Sequence, residues 1–340
     1  MIMAKRIAFG LLYVLLPAVL LIQACGPGNI VNPVTPPNPS GSETPDTPDT
    51  PTPSGSADPM IVCTFNIRYA NTADTYPDGS SAAWTARRAA VKKFVDTVKP
   101  DLIGLQEVRK AQSEDFASYF GAEYGYYDVG RDSGSGASVA SANCEGVGIL
   151  YRKDRFDLVL QDFFWLDPEP RTLPAKNSDG TYGSWNSACR RVTVYAKLKD
   201  KKHGNTEIWF FPTHYDHKSD LAQKNSAEMM VSQMKALCKV SDLKNSNIVI
   251  LHVGDLNTTY DSGSLKPLND NMGYARLAVD SPDKYERTYN GFKDSGGSII
   301  DHIYYVGKTV KPVKYWVDRV NYGVPYLSDH FPVLFQWEYQ

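Results

Sequence analysis

Residues 248–257, IVILHVGDLN, form an apolar run that ends in the polar group Gly-Asp-Leu-Asn. Its apolar residues occupy successive positions rather than every second one, which predicts a strand buried on both faces. The same pattern occurs at Met60–Ile67, which carries Asn66 near its end, and at Leu102–Val108, which carries Glu107. The sequence therefore predicts a core of buried strands with polar side chains at their ends.

Further β patterns and two helix patterns complete the predicted domain. The helices are Trp84–Val98 and Leu221–Val240, and they do not alternate regularly with the strands. This order argues against a doubly wound sheet or an eight-fold barrel and favours an α+β fold of two packed sheets with helices outside. The other predicted strands are Gly146–Tyr151, Phe156–Leu166, Arg191–Leu198, Glu207–Thr213, Ile248–Val253, Ile299–Val306, Val313–Val317 and Phe331–Trp337.

Each polar residue at a strand end has an ordinary explanation when it is taken alone, such as a turn, a helix cap or a solvated side chain. Their joint order along the chain is more informative. The set comprises Asn66, Gln106-Glu107, Thr213-His214, Gly254-Asp255-x-Asn257, Asp301-His302 and Ser328-Asp329-His330. In this order it resembles the endonuclease/exonuclease/phosphatase superfamily, the deoxyribonuclease I-like metal-dependent phosphoesterases, from about residue 60 to residue 337.

This resemblance implies a four-layer α/β sandwich, with two central mixed sheets flanked by helices and an active site at one end. It also implies a Mg²⁺ or Mn²⁺ ion on Glu107, with Asn66 beside it and Asp329 near or on the metal. Hard cations of this kind prefer oxygen ligands. The substrate class that it implies is a phosphate ester: a nucleic acid, a phospholipid head group, or a sugar or inositol phosphate.

The resemblance also implies the catalytic roles. Asp255 would orient and deprotonate the attacking water, and Asn257 would donate hydrogen bonds to the phosphoryl oxygens. His330, paired with Asp301, and His214 would contact the phosphate and share the proton transfers. Phosphoester hydrolysis needs neutralised charge, an aligned water and a protonated leaving oxygen, and a metal, a carboxylate and histidines supply these.

Two long segments rich in loop residues, Asp128–Glu145 and Asp167–Ala188, are candidates for substrate contacts. The substrate-binding candidates are Glu145, Trp185, Asn186, Arg190 and Arg191, because an arginine can clamp a second phosphate and a tryptophan can stack on a base or sugar. A structural role, in which the arginines pair with surface acids and Trp185 packs on its own loop, is an open alternative.

The first 58 residues predict export and attachment to a membrane. Residues 1–24 have a basic start and an apolar run, which is typical of a signal peptide. The run ends in Ile22-Gln23-Ala24-Cys25, which resembles a bacterial lipoprotein signal with Cys25 as the lipidated residue. Residues 25–58 are rich in Pro, Thr, Ser and Asp and predict an extended linker to a catalytic domain at 59–340. A single membrane anchor is the alternative.

Charge and cysteine content restrict the function further. The chain has 36 basic and 38 acidic residues, and residues 59–340 carry equal numbers of each. This balance argues against tight non-specific binding to long duplex DNA, which depends on clustered Lys and Arg. No Cys-x-x-Cys pair occurs, so zinc and thioredoxin-like chemistry are unsupported. A disulfide between Cys144 and Cys189 is one of three possible pairings.

Two other functions remain as alternatives. A lipid-tethered binding protein that keeps the fold without turnover would lack at least one catalytic group, and the sequence lacks none. A glycosidase built on Glu107, Asp255 and Asp329 leaves His214 and His330 without roles. The sequence therefore favours a divalent-metal-dependent hydrolase of phosphate esters and leaves open whether the ester is a monoester or a diester.

Overall fold

The computed structural model describes residues 58–137 and 140–340. The helices are α1 (Trp84–Val98), α2 (Lys110–Phe120), α3 (Asp220–Cys238), α4 (Lys266–Asn271) and α5 (Ala275–Ala278), with 3₁₀ turns at Gly263–Leu265 and Pro282–Tyr285. The strands are β1 (Met60–Asn66), β2 (Leu102–Val108), β3 (Tyr124–Gly130), β4 (Gly146–Arg152), β5 (Phe156–Trp165), β6 (Val192–Asp200), β7 (Thr206–His214), β8 (Val249–Asp255), β9 (Gly273–Tyr274), β10 (Asp301–Val306), β11 (Val310–Val317) and β12 (Val333–Tyr339).

The strands form two six-stranded mixed sheets. The first has the order β11-β12-β1-β2-β4-β3 and the second the order β5-β6-β7-β8-β10-β9. Within each sheet one neighbouring pair is parallel, β1 with β2 and β7 with β8. The predicted α+β fold, a four-layer sandwich with two central mixed sheets, is confirmed.

Alternating side chains of the central strands, β1 and β2 in one sheet and β7 and β8 in the other, supply a core on both faces. In β1, Val62 packs between the two sheets, whereas Cys63 and Phe65 pack outward against α1 and α2. In β8, Leu251 points between the sheets and Ile250 packs outward on the side of α3. Because both faces are covered, the strands carry continuous apolar runs.

Gly104 in β2 marks a place where the two sheets approach closely. A Cβ atom added there would lie 2.6 Å from Val253 Cγ2 and 2.8 Å from Pro212 Cβ. Val253 belongs to β8 and Pro212 to β7, so both neighbours are held by the second sheet. A side chain at position 104 would therefore push the sheets apart.

Strand direction brings the polar strand ends to one pole of the sandwich. Strand β1 is parallel to β2, and β7 is parallel to β8. All four strands end at this pole. Strands β4, β10 and β12 are antiparallel to their neighbours β2, β8 and β1, so they begin there. We call this end of the molecule the catalytic pole.

At the opposite pole, a buried arginine fixes the start of the domain. Arg155 donates to the carbonyl oxygens of Pro59 and Asp58, at 2.9 and 3.1 Å. Its guanidinium also lies 3.3 Å from Asp101 and 3.0 Å from Asp200. The chain therefore enters β1 from the end remote from the catalytic pole.

Five elements were not predicted: α2, β3 and the short α4, β9 and α5. The predicted strands otherwise agree with the structure to within a few residues, and α1 agrees at both ends. The predicted signal peptide and most of the linker, including Cys25, lie outside the described residues and stay predictions. Across residues 58–137 and 140–340 no helix is both long and apolar enough to cross a membrane.

We expect Gly104→Ala to lower the free energy of unfolding by about 1–3 kcal/mol, because overpacking outweighs the small gain from replacing a strand glycine. Urea denaturation measures this. Gly263→Ala is the matched control, because a Cβ there meets nothing within 4 Å, and its effect should stay within about 0.5 kcal/mol. Equal effects at the two positions would contradict the close sheet approach.

Candidate active site

A bulge in β2 directs Glu107 into the catalytic pole. The pairing of β2 with β4 shifts between Gln106 and Val108, and Glu107 has a φ of 64°. A non-glycine residue in this region is held there by its surroundings, as is common at functional sites. The Glu107 carboxylate accepts hydrogen bonds from Asn66 Nδ2 at 3.1 Å and from the Tyr69 backbone N–H at 3.0 Å. These two donors fix its orientation.

Asp255, the last residue of β8, occupies the centre of the site. Its Oδ1 accepts from the Asn257 backbone N–H at 2.9 Å, and its Oδ2 accepts from Asn66 Nδ2 at 3.0 Å. The carboxylate is 2% exposed. Burial raises the pKa of Asp255 to about 7, against the opposing effect of His330. A carboxylate in this range can take a proton from water near neutral pH.

His330 is paired with a buried carboxylate. Its Nδ1 lies 2.8 Å from Asp301 Oδ2, and its Nε2 faces Asp255 Oδ2 at 3.7 Å. Burial alone lowers the pKa of His330, but the carboxylates of Asp301 and Asp255 outweigh it and raise the pKa to about 10. The pair therefore keeps His330 protonated and aims its second ring nitrogen at Asp255.

His214 reaches the same carboxylate from β7 in the opposite protonation state. Its Nε2 lies 3.4 Å from Asp255 Oδ2. Burial, followed by the charges of Arg191 and Arg131, holds the pKa of His214 well below its usual range. One neutral and one protonated imidazole thus flank a single carboxylate, which gives the site both a proton acceptor and a proton donor.

Asp329 closes the site from the loop before β12. Ser328 Oγ donates to the Asn66 carbonyl oxygen at 2.7 Å and to Asp329 Oδ1 at 3.2 Å. Asp329 Oδ2 lies 3.7 Å from Arg68 Nη1. Ser328 therefore attaches the Asp329 loop to the end of β1, beside Glu107.

The two asparagines use their amide groups in different ways. Asn66 directs its Oδ1 at the Arg68 backbone N–H and its Nδ2 at two carboxylates. This orientation makes Asn66 a donor that joins Glu107 to Asp255, and its role beside the metal stays a prediction. Asn257 Nδ2 donates to the Tyr215 carbonyl oxygen at 3.0 Å.

Arg87 of α1 ties together the loops beneath the site. Its guanidinium is fully buried and donates to four carbonyl oxygens, at distances from 2.6 to 3.1 Å. The four acceptors are Ala82, Ile67, Leu327 and Arg68. Two of these residues follow β1 directly and another precedes Ser328, so one side chain sets the spacing of both loops.

A cleft of about 500 Å³ opens over these groups. Such a volume is typical of sites for small molecules. Asn66 and Asp301 lie beneath its wall and bond to residues in it. The predicted site residues that line the cleft are Glu107, Glu145, Arg191, His214, Asp255, Asn257, Asp329 and His330.

Three predicted substrate residues do not line this cleft. Trp185 packs against the core cluster outside the second sheet. The side chain of Asn186 accepts from Asn177 Nδ2 at 3.3 Å within its own loop. Arg190 donates to the Pro174 carbonyl oxygen at 2.6 Å and stacks on Tyr182. The structure thus gives these residues contacts within the protein, and their part in substrate binding stays a prediction.

Other residues of the cleft were missed by sequence analysis. Arg68, Tyr69, Arg131 and Tyr289 all line it. Arg131 follows β3, a strand that was not predicted, and Tyr289 packs edge-on to His330 with 5.0 Å between ring centroids. Cys189 also lines the cleft, and neither it nor Cys144 forms a disulfide.

The two mixed sheets and the carboxylates and histidines at their shared pole define a hydrolytic phosphoesterase of the α/β-sandwich class. A model of the Endonuclease/Exonuclease/phosphatase family matches residues 63–330, and the chain belongs to this family. The superfamily resemblance drawn from the sequence is therefore confirmed.

Individual proteins of this family resemble the chain at about one quarter identity. The structure of an endonuclease/exonuclease/phosphatase from Bacteroides vulgatus is 26% identical with a TM-score of 0.69, covering 84% of this chain and 100% of that one. A mannosyl-6-phosphatase of Bacteroides thetaiotaomicron is also 26% identical with a TM-score of 0.69, covering 82% and 100%.

A curated relative matches over a shorter stretch. The CCR4-Not complex 3′-5′-exoribonuclease subunit Ccr4 of Kluyveromyces lactis is 26% identical over 199 residues, which are 55% of this chain. The match spans only 25% of the length of that relative.

We expect Arg87→Met to lower the free energy of unfolding by about 3 kcal/mol, because it leaves several buried carbonyl oxygens without donors. Arg88→Met is the control. The Arg88 guanidinium is half-exposed and lies 3.5 Å from Asp115, so the effect of this substitution should stay below about 1 kcal/mol. Guanidinium chloride unfolding of both variants measures the difference, and similar values would show that Arg87 does not hold the loops.

Proposed function

We propose that this protein hydrolyses small phosphate monoesters with the help of a divalent cation, Mg²⁺ or Mn²⁺. The observation that carries the proposal is the position of Asp255 Oδ2, which is within 3.7 Å of both His214 and His330 and is joined to Glu107 through Asn66. This arrangement brings together in one cleft the Asp255 carboxylate, which can accept a proton from water, two imidazoles and the Glu107 carboxylate.

The oxygen donors on the cleft fit a hard divalent cation. Glu107 and Asp329 would hold it, since both carboxylates line the cleft and both are linked to Asn66, Glu107 directly and Asp329 through Ser328. Such an ion neutralises charge on the substrate phosphate. Asp255, Asp301 and His330 also have ligand atoms within 4.8 Å of one another. We do not place the ion there, because Asp301 Oδ2 and His330 Nδ1 already bond to each other.

The remaining groups have roles that follow from their protonation. Asp255 would take the proton of the attacking water, because burial brings its pKa close to neutrality. His330, kept protonated by Asp301, would face the developing charge on the phosphoryl oxygens. With the proton of water on Asp255, His330 would give its own proton to the leaving oxygen. His214, kept neutral by burial and nearby guanidinium groups, would contact the phosphate. Asn257 would stabilise the Asp255 turn and the phosphate.

The choice of a monoester rests on the cleft and on one relative. A volume of about 500 Å³ suits a monosaccharide or nucleotide-sized ligand rather than an extended polymer. A mannosyl-6-phosphatase shares 26% identity with the chain and is covered along its full length, whereas the exoribonuclease match spans a quarter of that protein. Both facts favour a small phosphorylated sugar or related compound over nucleic acid.

We expect EDTA to abolish hydrolysis of p-nitrophenyl phosphate and Mn²⁺ or Mg²⁺ to restore it. Asp255→Asn should lower kcat by about 10²–10⁴, because general base catalysis contributes this much. Asp157→Asn is the control, since its side chain is 62% exposed at the opposite pole. Bis-p-nitrophenyl phosphate should be the poorer substrate, and a preference for it would identify a phosphodiesterase instead.

We also expect Glu107→Gln to weaken Mn²⁺ binding by at least about tenfold, because it removes a charged oxygen ligand. Calorimetric titration of Mn²⁺ measures this without turnover. Asp301→Asn is informative in the same assay: a larger loss of affinity there than at Glu107 would place the ion in the Asp255, Asp301 and His330 group. A folded protein that binds Mn²⁺ and hydrolyses no phosphate ester would support the binding-protein alternative.

A further inference from the structure

Three charged residues form a second polar site beside the catalytic groups. Arg131 follows β3, Glu145 precedes β4 and Arg191 precedes β6, so all three lie at the catalytic pole. Together with His214 they enclose an inner cavity of about 10 Å³ that adjoins the main cleft. This space holds only one water-sized group, but Arg131, Glu145 and Arg191 also line the main cleft, where a larger anion can reach them. We call these three residues the arginine subsite.

Arg191 lacks partners for part of its guanidinium. The residue is 4% exposed, and its Nε and Nη1 atoms have no hydrogen-bond acceptor in the structure. Its Nη2 donates to His217 Nδ1 at 3.0 Å. The nearest carboxylate is Asp216, at 4.0 Å, and the same Asp216 oxygen already accepts two backbone N–H bonds. Buried charge of this kind is costly unless an anion or acceptor meets it.

The subsite also has more positive than negative charge. Glu145 is shared between Arg131, at 2.7 Å, and Arg109, at 3.2 Å, so one carboxylate serves two guanidinium groups. Arg131 Nε has no hydrogen-bond acceptor either, and Asp132, which lies 3.9 Å from it, also pairs with Arg190 at 3.2 Å. Burial and then the charge of Arg131 lower the pKa of Arg191, which shows that the two cations repel each other. An anion between them would relieve this repulsion.

Strand order gives the distance between this subsite and the catalytic carboxylates. In the second sheet, Arg191 precedes β6 and Asp255 ends β8, with β7 between them. In the first sheet, Glu145 precedes β4, which is the direct neighbour of the strand that carries Glu107. Neighbouring strands are about 4.8 Å apart, so the subsite lies roughly 5–10 Å from the catalytic centre. A molecule as long as a monosaccharide spans that distance.

We propose that the arginine subsite binds a second anionic group of the substrate, a carboxylate or a second phosphoryl group, distinct from the phosphate that is hydrolysed. The inference rests on the proposed phosphomonoesterase function and narrows its substrate class. Planar guanidinium groups bind both kinds of anion through paired N–H donors. In this proposal, Arg191 and Arg131 determine the substrate specificity.

Matched substrate pairs test the proposal on the full enzyme. Sorbitol 6-phosphate and 6-phosphogluconate differ by a carboxylate at the end remote from the ester, and glucose 6-phosphate and glucose 1,6-bisphosphate differ by a phosphoryl group. The wild-type enzyme should prefer the member with the second anion in at least one pair, by at least about tenfold in kcat/KM. The pair that shows the preference identifies the anion.

Arg191→Met should remove this preference by raising KM for the member with the second anionic group, with little effect on its partner. Arg131→Met, in a side chain that is 15% exposed, is the second variant in case the buried substitution prevents folding. Arg171→Met is the control, because this arginine is 55% exposed and pairs with Asp162 outside the cleft. An equal loss for both members would show instead that Arg191 contacts the reacting phosphate, and no loss would show a structural role.

A binding measurement separates this inference from the proposed function. Titration calorimetry in EDTA, where turnover is prevented, compares 6-phosphogluconate with sorbitol 6-phosphate, and then the two glucose phosphates. Tighter binding of the member with the second anionic group, lost in Arg191→Met, supports the subsite even if no monoesterase activity is found. Hydrolysis without any such preference, in turnover or in binding, overturns the subsite and leaves the proposed function standing.

Discussion

The structure depends on one amide group that holds the two sheets together at the catalytic pole. Asn66 Nδ2 donates to Glu107 on the first sheet and to Asp255 on the second, at 3.1 and 3.0 Å. Without this donor two carboxylates would face each other with nothing between them, and like charges at such distances repel strongly in a buried setting. Because Gly104 has no side chain, the sheets come close enough for this connection. The same hydrogen bonds therefore stabilise the sandwich and set the spacing of the site.

The fold could be predicted well from the sequence because strands that are buried on both faces of their sheet have continuous apolar sequences. Strand β8 is such a run, and its end placed Asp255 correctly at the catalytic pole. In contrast, β3 reads Tyr-Gly-Tyr-Tyr-Asp-Val-Gly, in which two glycines and an aspartate weaken the strand pattern. Helix α2 begins with Arg109 as its N-cap, a residue type that gives no start signal. Helix α2 packs against the first sheet and β3 pairs with β4 at its edge, and a local pattern shows neither tertiary contact.

The positions of residues at strand ends were easier to predict than those of residues in loops, for a physical reason. A residue at a strand end is held by the sheet, so its position follows from the topology once the strands are known. A residue in a loop can turn either way. Arg190 and Arg191 are adjacent in the sequence, yet Arg190 stacks on Tyr182 within its loop while Arg191 turns inward beside His214. Only the tertiary structure distinguishes the two, and the same holds for Arg131, whose strand was not recognised.

The contacts of Arg155 have a mechanical consequence. This side chain holds the carbonyl oxygens of Asp58 and Pro59 against Asp101 and Asp200, at the pole remote from the cleft. Tension applied at Asp58 would run along β1, in the middle of its sheet, and would load the hydrogen bonds to β12 and β2 in shear, many at once rather than one after another. A domain attached to a surface through Asp58 would therefore resist mechanical unfolding, and its cleft, at the opposite pole, would face the solution.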